Sequence, residues 1–575
     1  MFIIPIPKKF EIKEEKIKAV SFSLNVDSDE IKEFASFLDK NGETQVKFLK
    51  NEALKDEEYK ITVDNNGILA EYGEIVGAFR ATATLKQITT QNENGELNCL
   101  EIYDKPDFKN RGYMLDVSRS KIPNTDYLKS LVDLMADLKY NQLQLYMDNL
   151  IYEYKNFLDY VKDTDPYTRA EIEELDAYCQ KKFISLVPNQ NGFGHMGAWT
   201  SKKELSHLAI TGKNGKPSGT LNPLKKESLE LVDKIYDGFL DAFQADIVNI
   251  CLDEPFELGL NETKEVCEKY GVGRVYTDYL KKICELVTTK YKKTPMFFDD
   301  IIFKHEEEIA NIPKIAIVMQ WGYETEHHYD RHCRKLQENG LRFYVCPGSS
   351  MWGSTLGRMN NAITNIENAP ENGQYYGAEG FLLTEWGDGG HPQFPASSYF
   401  PLAYGATMSW NVGDHNNEWA YFERRTNLEY TRKYLDKYVY KVQNDISLAD
   451  IVYRLGNYYL VEDMLKFNGT ELFHYLYNMN EITPEKRKGF ERVKKYVSEL
   501  KEELSKVKAD EIMLREIKNN CDIVIYIADL LSNENKTPDI NEKERILKEF
   551  EALWLMKNRR SGMNNFGEVL KRLEA

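Results

Sequence analysis

Two acidic residues stand side by side at the end of an apolar stretch, Ile247-Val-Asn-Ile-Cys-Leu-Asp253-Glu254-Pro255. Neighbouring residues of a regular strand point to opposite faces, so both carboxylates can face one pocket only where the strand ends or is distorted. Two nearby carboxyl groups hold their pKa values apart, and one can then act as an acid while the other stays ionised. Asp253 and Glu254 are therefore the candidate catalytic pair, with a salt bridge plus a helix cap as the alternative.

Polar or aromatic residues accompany the other apolar stretches in a similar way. They are Arg111 (at the start of the first stretch), Asp148, His195, Asp299, Asp300, Trp321, Trp386 and Asp388. A single Asp at a strand end is more often a helix N-cap than a catalytic group. Their repetition along the chain indicates one rim of a barrel, because catalytic residues of such folds collect at the carboxyl ends of the strands.

Eight short apolar stretches alternate with helical patterns from about residue 108 to about residue 410. The stretches are Tyr113–Val117, Leu143–Met147, Phe183–Val187, Ile247–Leu252, Met296–Phe298, Ile315–Met319, Phe343–Cys346 and Phe381–Leu383. Helical spacing separates them, and Thr168-Arg-Ala-Glu171 has the spacing of a capping box. This alternation predicts an α/β fold, a (β/α)8 TIM barrel, with an open doubly wound sheet as the competing topology.

The two flanks of the predicted barrel differ from it in pattern. Residues 1–107 mix short apolar runs with one helical stretch, which indicates a small N-terminal α+β domain. The barrel is assigned to residues 108–440. Residues 441–575 are charged and helical, with apolar positions recurring at a spacing of three and four from Val493 to Val507. We expect a C-terminal α-helical domain there, its charges forming solvated faces.

Composition excludes several classes of partner. The 575 residues carry 75 Lys and Arg against 92 Asp and Glu, a net charge of −17, which argues against nucleic-acid or acidic-membrane binding. We expect no transmembrane helix and no signal peptide, because long apolar runs are missing and prolines interrupt the first residues. The eight scattered cysteines predict buried thiols in a reducing compartment, hence a cytoplasmic protein. An oligomeric assembly is left open.

Five segments, taken in order, resemble glycoside hydrolase family 20, the exo-β-N-acetylhexosaminidases. They are Gly77-Ala-Phe…Thr84-Leu-Lys-Gln, Arg111-Gly-Tyr-Met-Leu-Asp116-Val-Ser-Arg119, Gly194-His195, Asp253-Glu254 and Trp386-Gly-Asp388. The Asp-Glu pair alone is weakly specific, whereas five matches in order are specific. The similarity runs to about residue 410 and leaves out the C-terminal helical region.

The resemblance implies removal of terminal β-linked GlcNAc or GalNAc from oligosaccharides or glycoconjugates, without a metal or organic cofactor. The substrate's own 2-acetamido oxygen would attack C1. Glu254 would protonate the leaving oxygen, and Asp253 would stay ionised and orient the acetamide. Supporting roles are implied for six further residues: Arg111 and Asp388 on sugar hydroxyls, His195 oriented by Asp148 beside the pair, and Trp321 and Trp386 around the acetamide and the sugar ring.

Two departures from the family pattern point to a divergent subgroup. Phe298 stands where the family usually ends its fifth strand with Trp, and the family's acetamide-binding Tyr after strand seven has no clean match. Tyr344 or Trp352 could substitute for it.

Two other functions stay open from the residues alone. One is a metal-dependent lyase or isomerase with Asp253, Asp299 and Asp300 as magnesium ligands, and the other is a non-catalytic glycan-binding protein.

Overall fold

The computed structural model describes residues 1–38, 42–92, 94–162, 164–413, 420–478, 482–533 and 537–571. The chain forms an N-terminal α+β domain, a closed barrel and a C-terminal helical region. Within these residues, no helix combines the length and the apolar character needed to cross a membrane.

The N-terminal domain is a six-stranded sheet with a helix packed on one face. Strand β3 shows why: Thr44, Val46 and Phe48 are buried while the residues between them are exposed, so one face of the sheet is apolar. Its strands lie in the order β1-β6-β4-β5-β3-β2. The elements are β1 Lys9–Lys18, β2 Phe22–Asn25, α1 Asp29–Phe34, β3 Thr44–Lys50, β4 Tyr59–Asp64, β5 Gly67–Tyr72, α2 Ile75–Thr89 and β6 Glu96–Asp104.

Eight parallel strands close into a barrel, which confirms the predicted fold. Strand β16 pairs with β7 over six positions, and this closure rules out the open doubly wound sheet. Each of the eight predicted stretches overlaps one barrel strand. The barrel strands are β7 Asn110–Asp116, β8 Gln142–Met147, β9 Ser185–Gln190, β12 Ile247–Cys251, β13 Thr294–Phe298, β14 Ile317–Trp321, β15 Arg342–Cys346 and β16 Gly380–Glu385. A hairpin, β10 Ala209–Thr211 and β11 Pro217–Leu221, interrupts the connection after β9.

Helices on the outside of the barrel follow the strands. The predicted capping box is present: Thr168 and Glu171 bond each other's backbone N–H groups at the start of α5. The helices are α3 Thr125–Asp137, α4 Leu158–Val161, α5 Arg169–Lys181, α6 Gly197–Thr200, α7 Lys226–Asp237, α8 Lys264–Tyr270, α9 Val272–Thr289, α10 Asp300–Lys304, α11 Tyr329–Glu338, α12 Met359–Tyr375 and α13 Pro395–Trp410.

The C-terminal region is helical, as predicted, and shares one continuous apolar core with the barrel. Val493, Val497, Leu500 and Leu504 of the predicted stripe are buried along α18. Its helices are α14 Ala420–Tyr434, α15 Leu448–Leu455, α16 Tyr458–Val461, α17 Glu471–Asn478, α18 Pro484–Leu504, α19 Glu511–Ser532, α20 Ile540–Lys557 and α21 Asn565–Lys571. A π-helical turn, Leu435–Val439, follows α14.

Candidate active site

The backbone is distorted at the candidate catalytic pair, Asp253 and Glu254, as the adjacency of two inward-facing carboxylates requires. Strand β12 ends at Cys251, and Cys251, Leu252 and Glu254 have φ values of 58°, 62° and 49°. Non-glycine residues rarely adopt this left-handed region, so the surrounding structure must hold them there. The chain then turns at Phe256, whose N–H donates to the Glu254 carbonyl at 2.7 Å. The two carboxylates are therefore not forced onto opposite faces, as neighbouring side chains of a regular strand are.

His195 brings the two carboxylates together. Its Nε2 lies 3.3 Å from Asp253 Oδ2 and 3.3 Å from Glu254 Oε2. The loop after β9 reaches the pair because of Gly194, where a Cβ would stand 2.0 Å from the Asp253 carbonyl oxygen. Any side chain at position 194 would therefore push His195 away from the pair.

The contacts of His195 stabilise the charged form of Asp253. Burial alone would lower the pKa of His195, but the Asp253 charge and hydrogen bonds to both acids outweigh it and raise that pKa to about 10. Burial would likewise raise the pKa of Asp253, yet the His195 charge and hydrogen bond lower it. Asn191 Nδ2 also donates to Asp253 Oδ1 at 2.6 Å. Asp253 is thus held ionised, whereas the Glu254 side chain is 36% exposed and open to a ligand.

Arg119, which the sequence-based assignment passed over, lies in the middle of the site. Its guanidinium is 2.7 Å from Asp116 and 3.7 Å from both Asp148 and Asp388. It also lies over the Trp386 ring, 5.2 Å from the ring centroid. Asp116 is fully buried and accepts the Gly387 N–H at 2.9 Å, so it fixes Arg119 and the loop after β16 together. These contacts place a cation between Asp148 and Asp388.

Asp148 lies at the expected position but holds His195 only weakly. Asp148 Oδ2 is 3.9 Å from His195 Nδ1, which is an ion-pair distance and too long for a hydrogen bond. Burial raises the pKa of Asp148, against the lowering effect of the Arg119 charge.

Four aromatic side chains form a continuous wall that begins at Trp386. Trp386 meets Tyr323 at a centroid distance of 6.4 Å, and Tyr323 in turn contacts Trp321 at 4.9 Å and Trp352 at 5.1 Å. Trp321 and Trp386 therefore share one wall, as expected, and Trp352 adjoins it. Phe298 packs on Trp386 with a centroid distance of 6.0 Å. The other candidate for the missing Tyr, Tyr344, is buried within β15 with its ring against Gly380 of β16, in the same apolar cluster as Trp352 and Trp386.

The C-terminal region reaches this wall. The indole Nε1 of Trp352 donates to Asn468 Oδ1 at 2.7 Å. Asn468 is held in turn, because its N–H donates to Glu324 at 2.8 Å and Glu324 forms a two-bond ion pair with Arg358. The Tyr477 hydroxyl donates to the Gly389 carbonyl beside Asp388. The helical region thus fixes two loops at the barrel mouth.

Asp299 and Asp300 follow β13 without capping the next helix. The Asp299 side chain occupies the N-cap position of α10 but makes no capping hydrogen bond. Burial, reinforced by the Asp300 charge, raises the pKa of Asp299 far above its usual range. Burial and the Asp253 charge raise the pKa of Asp300 to about 7, and Asp300 accepts the Glu254 N–H at 3.3 Å. Asp300 therefore supports the backbone of the catalytic pair.

Arg111 lies outside the site, which corrects its expected contact with sugar hydroxyls. It is the second residue of β7 and lies at the amino end of the barrel, 1% exposed. It donates to Glu57 at 2.7 and 3.2 Å and packs its guanidinium on Trp410. Burial would raise the pKa of Glu57, but the charges of Arg111 and Arg80 hold it at about 2. Arg111 thus joins the N-terminal domain to the barrel.

The residues missed by sequence reasoning carried usable signals. Arg119 lies just beyond the carboxyl end of β7, whereas Arg111 lies near the amino end of the same strand. Catalytic residues of barrels collect at the carboxyl ends. Tyr323 stands two residues beyond Trp321 and is part of the same wall. Asn468 had no such signal, because it lies more than a hundred residues from the Trp352 that it contacts.

Among the described residues, no group of three or more His, Cys, Asp and Glu side chains is placed to hold a metal ion. Asp299 and Asp300, two of the acids in the magnesium alternative, are adjacent after β13, and burial is the main cause that raises the pKa of each.

Comparison with solved structures finds the same fold. The chain matches the X-ray structure of a chitobiase from Flavobacterium johnsoniae with a TM-score of 0.63, at 17% identity over 96% of this chain and 98% of the other. It matches an exo-β-N-acetylglucosaminidase of Vibrio harveyi with a TM-score of 0.59, at 18% identity over 76% of this chain and 77% of the other.

Curated relatives are more similar in sequence but are covered only in part. A β-hexosaminidase of Akkermansia muciniphila is 28% identical over 284 residues, which is 44% of this chain and 52% of the relative. The β-hexosaminidase β subunit of Rattus norvegicus is 26% identical over 278 residues, 43% of this chain and 49% of the relative. The chain thus matches about half the length of these relatives.

Two family models match consecutive parts of the chain. Residues 1–105 match domain 2 of glycosyl hydrolase family 20, and residues 108–352 match the catalytic domain of the same family. The two matches meet where the N-terminal sheet ends and the first barrel strand begins. The chain belongs to glycosyl hydrolase family 20, as a divergent member.

Proposed function

We propose that this protein is a retaining exo-β-N-acetylhexosaminidase that removes terminal β-linked GlcNAc or GalNAc from oligosaccharides or glycoconjugates. The observation that carries the proposal is the convergence of Asp253 and Glu254 on His195 Nε2, each at 3.3 Å, at the carboxyl end of the barrel. Family membership and the names of the β-hexosaminidase relatives support the same activity.

Glu254 acts as the general acid and then as the general base in this proposal. It is the more exposed acid of the pair, so it can reach the glycosidic oxygen of a bound substrate. It gives its proton to that oxygen as the C1–O bond breaks, and later takes a proton from the water that attacks C1. General acid–base catalysis of this kind contributes about 10²–10⁴-fold in rate.

The nucleophile is the substrate's own 2-acetamido oxygen, which bonds to C1 and gives an oxazolinium intermediate. Asp253, held ionised by His195 and Asn191, accepts the acetamide N–H and stabilises the positive charge that develops. Water then opens the ring at C1 and restores the β configuration. Good orientation of an intramolecular nucleophile is worth about 7–11 kcal/mol of barrier.

Arg119 and the aromatic wall hold the sugar in this geometry. We assign to Arg119, together with Asp388, the hydroxyl contacts that the resemblance had implied for Arg111. The guanidinium supplies several donors in a fixed plane, and Asp388 supplies an acceptor 3.7 Å from it. Trp386 and Tyr323 offer apolar faces for the sugar ring and the acetamide methyl group. Tyr323 is the residue that we propose in place of the family's acetamide-binding Tyr.

A reducing compartment, hence a cytoplasmic location, is part of the proposal. All eight cysteines are buried free thiols, which agrees with such a compartment. Proteolytic and fractionation experiments with a labelled copy of the chain would locate it.

The test compares nitrophenyl sugars with and without the acetamide. We expect release of nitrophenol from nitrophenyl β-GlcNAc or β-GalNAc, and none from nitrophenyl β-glucoside, which lacks the internal nucleophile. A thiazoline analogue of the cyclised intermediate should bind far more tightly than free GlcNAc. Equal turnover of the glucoside would mean a protein nucleophile, and no turnover of any sugar would favour a glycan-binding protein.

Two variants test the separate roles of the acids. Glu254→Gln should lower kcat/KM by about 10²–10⁴-fold on a β-linked disaccharide and by less on nitrophenyl β-GlcNAc, whose leaving group needs little protonation. Asp253→Asn should lower both by similar factors and weaken thiazoline binding, because it removes the negative charge from the acetamide site. An equal loss on both substrates in Glu254→Gln would remove Glu254 from the acid role.

A further inference from the structure

The loop after β16, residues 386–393, carries Asp388 at the barrel mouth. We call it the Asp388 loop. Two adjacent glycines, Gly389 and Gly390, leave it with little stiffness of its own. His391, which follows them, has a φ of 54°, a value that a non-glycine residue seldom adopts unless its surroundings hold it there. The shape of the Asp388 loop therefore depends on contacts with other parts of the fold.

Two basic residues of the loop after β7 approach the Asp388 loop at different points. Arg119 lies 3.7 Å from the Asp388 carboxylate. Lys121, two residues later, donates from its Nζ to the Gln393 carbonyl at 2.5 Å and to the His391 carbonyl at 3.3 Å. Arg119 thus faces the acid of the loop, while Lys121 binds the backbone that leads out of it.

The contacts of Lys121 extend through the Asp388 loop to its first residues. Gln393, whose carbonyl Lys121 binds, donates from its own Nε2 to the Trp386 carbonyl at 3.0 Å. The His391 N–H donates to the Gly387 carbonyl at 2.9 Å. The backbone that Lys121 holds is therefore bonded directly to the residues that precede the acid, so a shift at one end of the loop would be felt at the other.

Lys121 is buried to a degree that is unusual for a lysine, with 3% exposure. Its ammonium lies over the rings of Phe394 and Trp554, 5.3 and 5.2 Å from their centroids. Burial lowers the pKa of Lys121 to about 7, although the charges of Glu516 and Glu385 act in the opposite direction. Because burying an ammonium is unfavourable, the two carbonyl contacts must replace the water that it has lost.

We propose that Lys121 is a positioning residue for the terminal sugar, which holds the Asp388 loop so that Asp388 and Arg119 face the same hydroxyl groups. This inference rests on the proposed function and adds to it a buried residue that acts through the loop. Its consequence is that the effect of Lys121 on the sugar depends on Asp388.

A double-mutant cycle in the full chain tests this dependence. Lys121→Met keeps the aliphatic part of the side chain and removes the ammonium. We expect it to lower kcat/KM on nitrophenyl β-GlcNAc roughly tenfold, as for loss of a hydrogen bond from a charged donor, and to weaken thiazoline binding by a similar factor. In an Asp388→Asn background the same change should lower kcat/KM by less than about threefold, because coupled residues do not contribute additively.

Two further variants separate positioning of the loop from a general loss of stability. Lys557→Met is the matched control, because it removes an ammonium of the same interface that pairs with Glu516 of α19 at 2.5 Å. It should lower the midpoint of thermal unfolding and leave kcat/KM unchanged with either residue at position 388. Lys121→Gln keeps N–H donors without the charge, so its loss of kcat/KM should be smaller than that of Lys121→Met and should likewise shrink beside Asp388→Asn. If Lys121→Met does not fold, the cycle with Lys121→Gln decides the question.

Two outcomes would overturn the inference while leaving the proposed function intact. One is a pair of losses that multiply in the double variant, since Lys121 would then act independently of Asp388. The other is a folded Lys121→Met enzyme with unchanged kcat/KM. A wild-type chain that neither cleaves nitrophenyl β-GlcNAc nor binds the thiazoline would instead refute the proposed function, and the inference with it.

Discussion

Arg111 in β7 and Arg119 in the loop after β7 give the sharpest test of the site. Each can be changed to Lys, which keeps the positive charge. Arg119→Lys leaves a cation beside the buried Asp116 but removes the planar fork that can hold two hydroxyls at once. A hydrogen bond from a charged group contributes about 1.5–3 kcal/mol. Loss of one such bond in the transition state lowers kcat/KM by roughly 10- to 100-fold.

Arg111→Lys should have the opposite profile. Arg111 donates to the carbonyls of Lys139 and Phe108 at 3.1 and 2.7 Å, and to both Glu57 oxygens. A Lys ammonium cannot make all of these bonds, and the buried partners left over cost about 1–3 kcal/mol each. We expect a loss of roughly 2–5 kcal/mol in stability. No contact with the site is lost, so kcat/KM should stay within a small factor of wild type.

The assay pairs kcat/KM on nitrophenyl β-GlcNAc with the midpoint of thermal unfolding for both variants. Arg119→Lys should move mainly the first quantity, and Arg111→Lys mainly the second. A crossed result, with Arg111→Lys inactive at normal stability and Arg119→Lys fully active, would refute the placement of the sugar-binding arginine at the carboxyl end of β7.

Two further predictions concern the interfaces around the barrel. The pKa of Glu57 is about 2 in the folded chain, against an ordinary value of 4.5. The ionised Glu57 side chain therefore contributes ~3 kcal/mol to the free energy of unfolding above pH 4.5, and this contribution is lost as the pH falls from about 4.5 to about 2. Glu57→Gln lacks this contribution. Urea unfolding of wild type and Glu57→Gln between about pH 4.5 and about pH 2 should show that the difference in their free energies of unfolding shrinks as the pH falls. A difference that stays constant over this range would contradict the ion-pair explanation. Asn468→Ala should lower kcat/KM on nitrophenyl β-GlcNAc and weaken thiazoline binding by roughly tenfold, since the Trp352 indole loses its acceptor. Asn468→Asp, which keeps Oδ1 and tolerates the positive φ of 58°, should restore both values if Asn468 acts by positioning Trp352.

The barrel was predictable because its strands are buried on both faces and so read as continuous apolar runs between helical patterns. The distorted backbone at Asp253 and Glu254 was predictable for a related reason: two adjacent acids that face one pocket after such a run need a distorted strand end, and β12 has one. Arg111 was misplaced because its role came from the family resemblance, although it lies near the amino end of β7 and catalytic residues collect at the carboxyl ends. Glu57 of the N-terminal domain holds Arg111 at the amino end of the barrel. This is a tertiary contact between distant parts of the chain, so the sequence does not reveal it.

The loop after β15 depends on the helical region, and the family's catalytic-domain match ends within that loop, at residue 352. Trp352 donates to Asn468, and the Thr470 N–H donates to the Gly353 carbonyl at 3.1 Å. Gly353 and Gly469 approach so closely that a Cβ at position 353 would lie 3.0 Å from the Cα of Gly469. Side chains in this loop must therefore fit that neighbour. Contact with the helical region is not confined to this loop, because the Arg559 N–H donates to the Ile122 carbonyl at 2.8 Å in the loop after β7. The loop after β15 is different in that Trp352, a residue of the aromatic wall, donates directly to the helical region. Its side chain is held by a neighbour outside the family match, which is a physical reason for Trp352 to stand where the family arrangement differs.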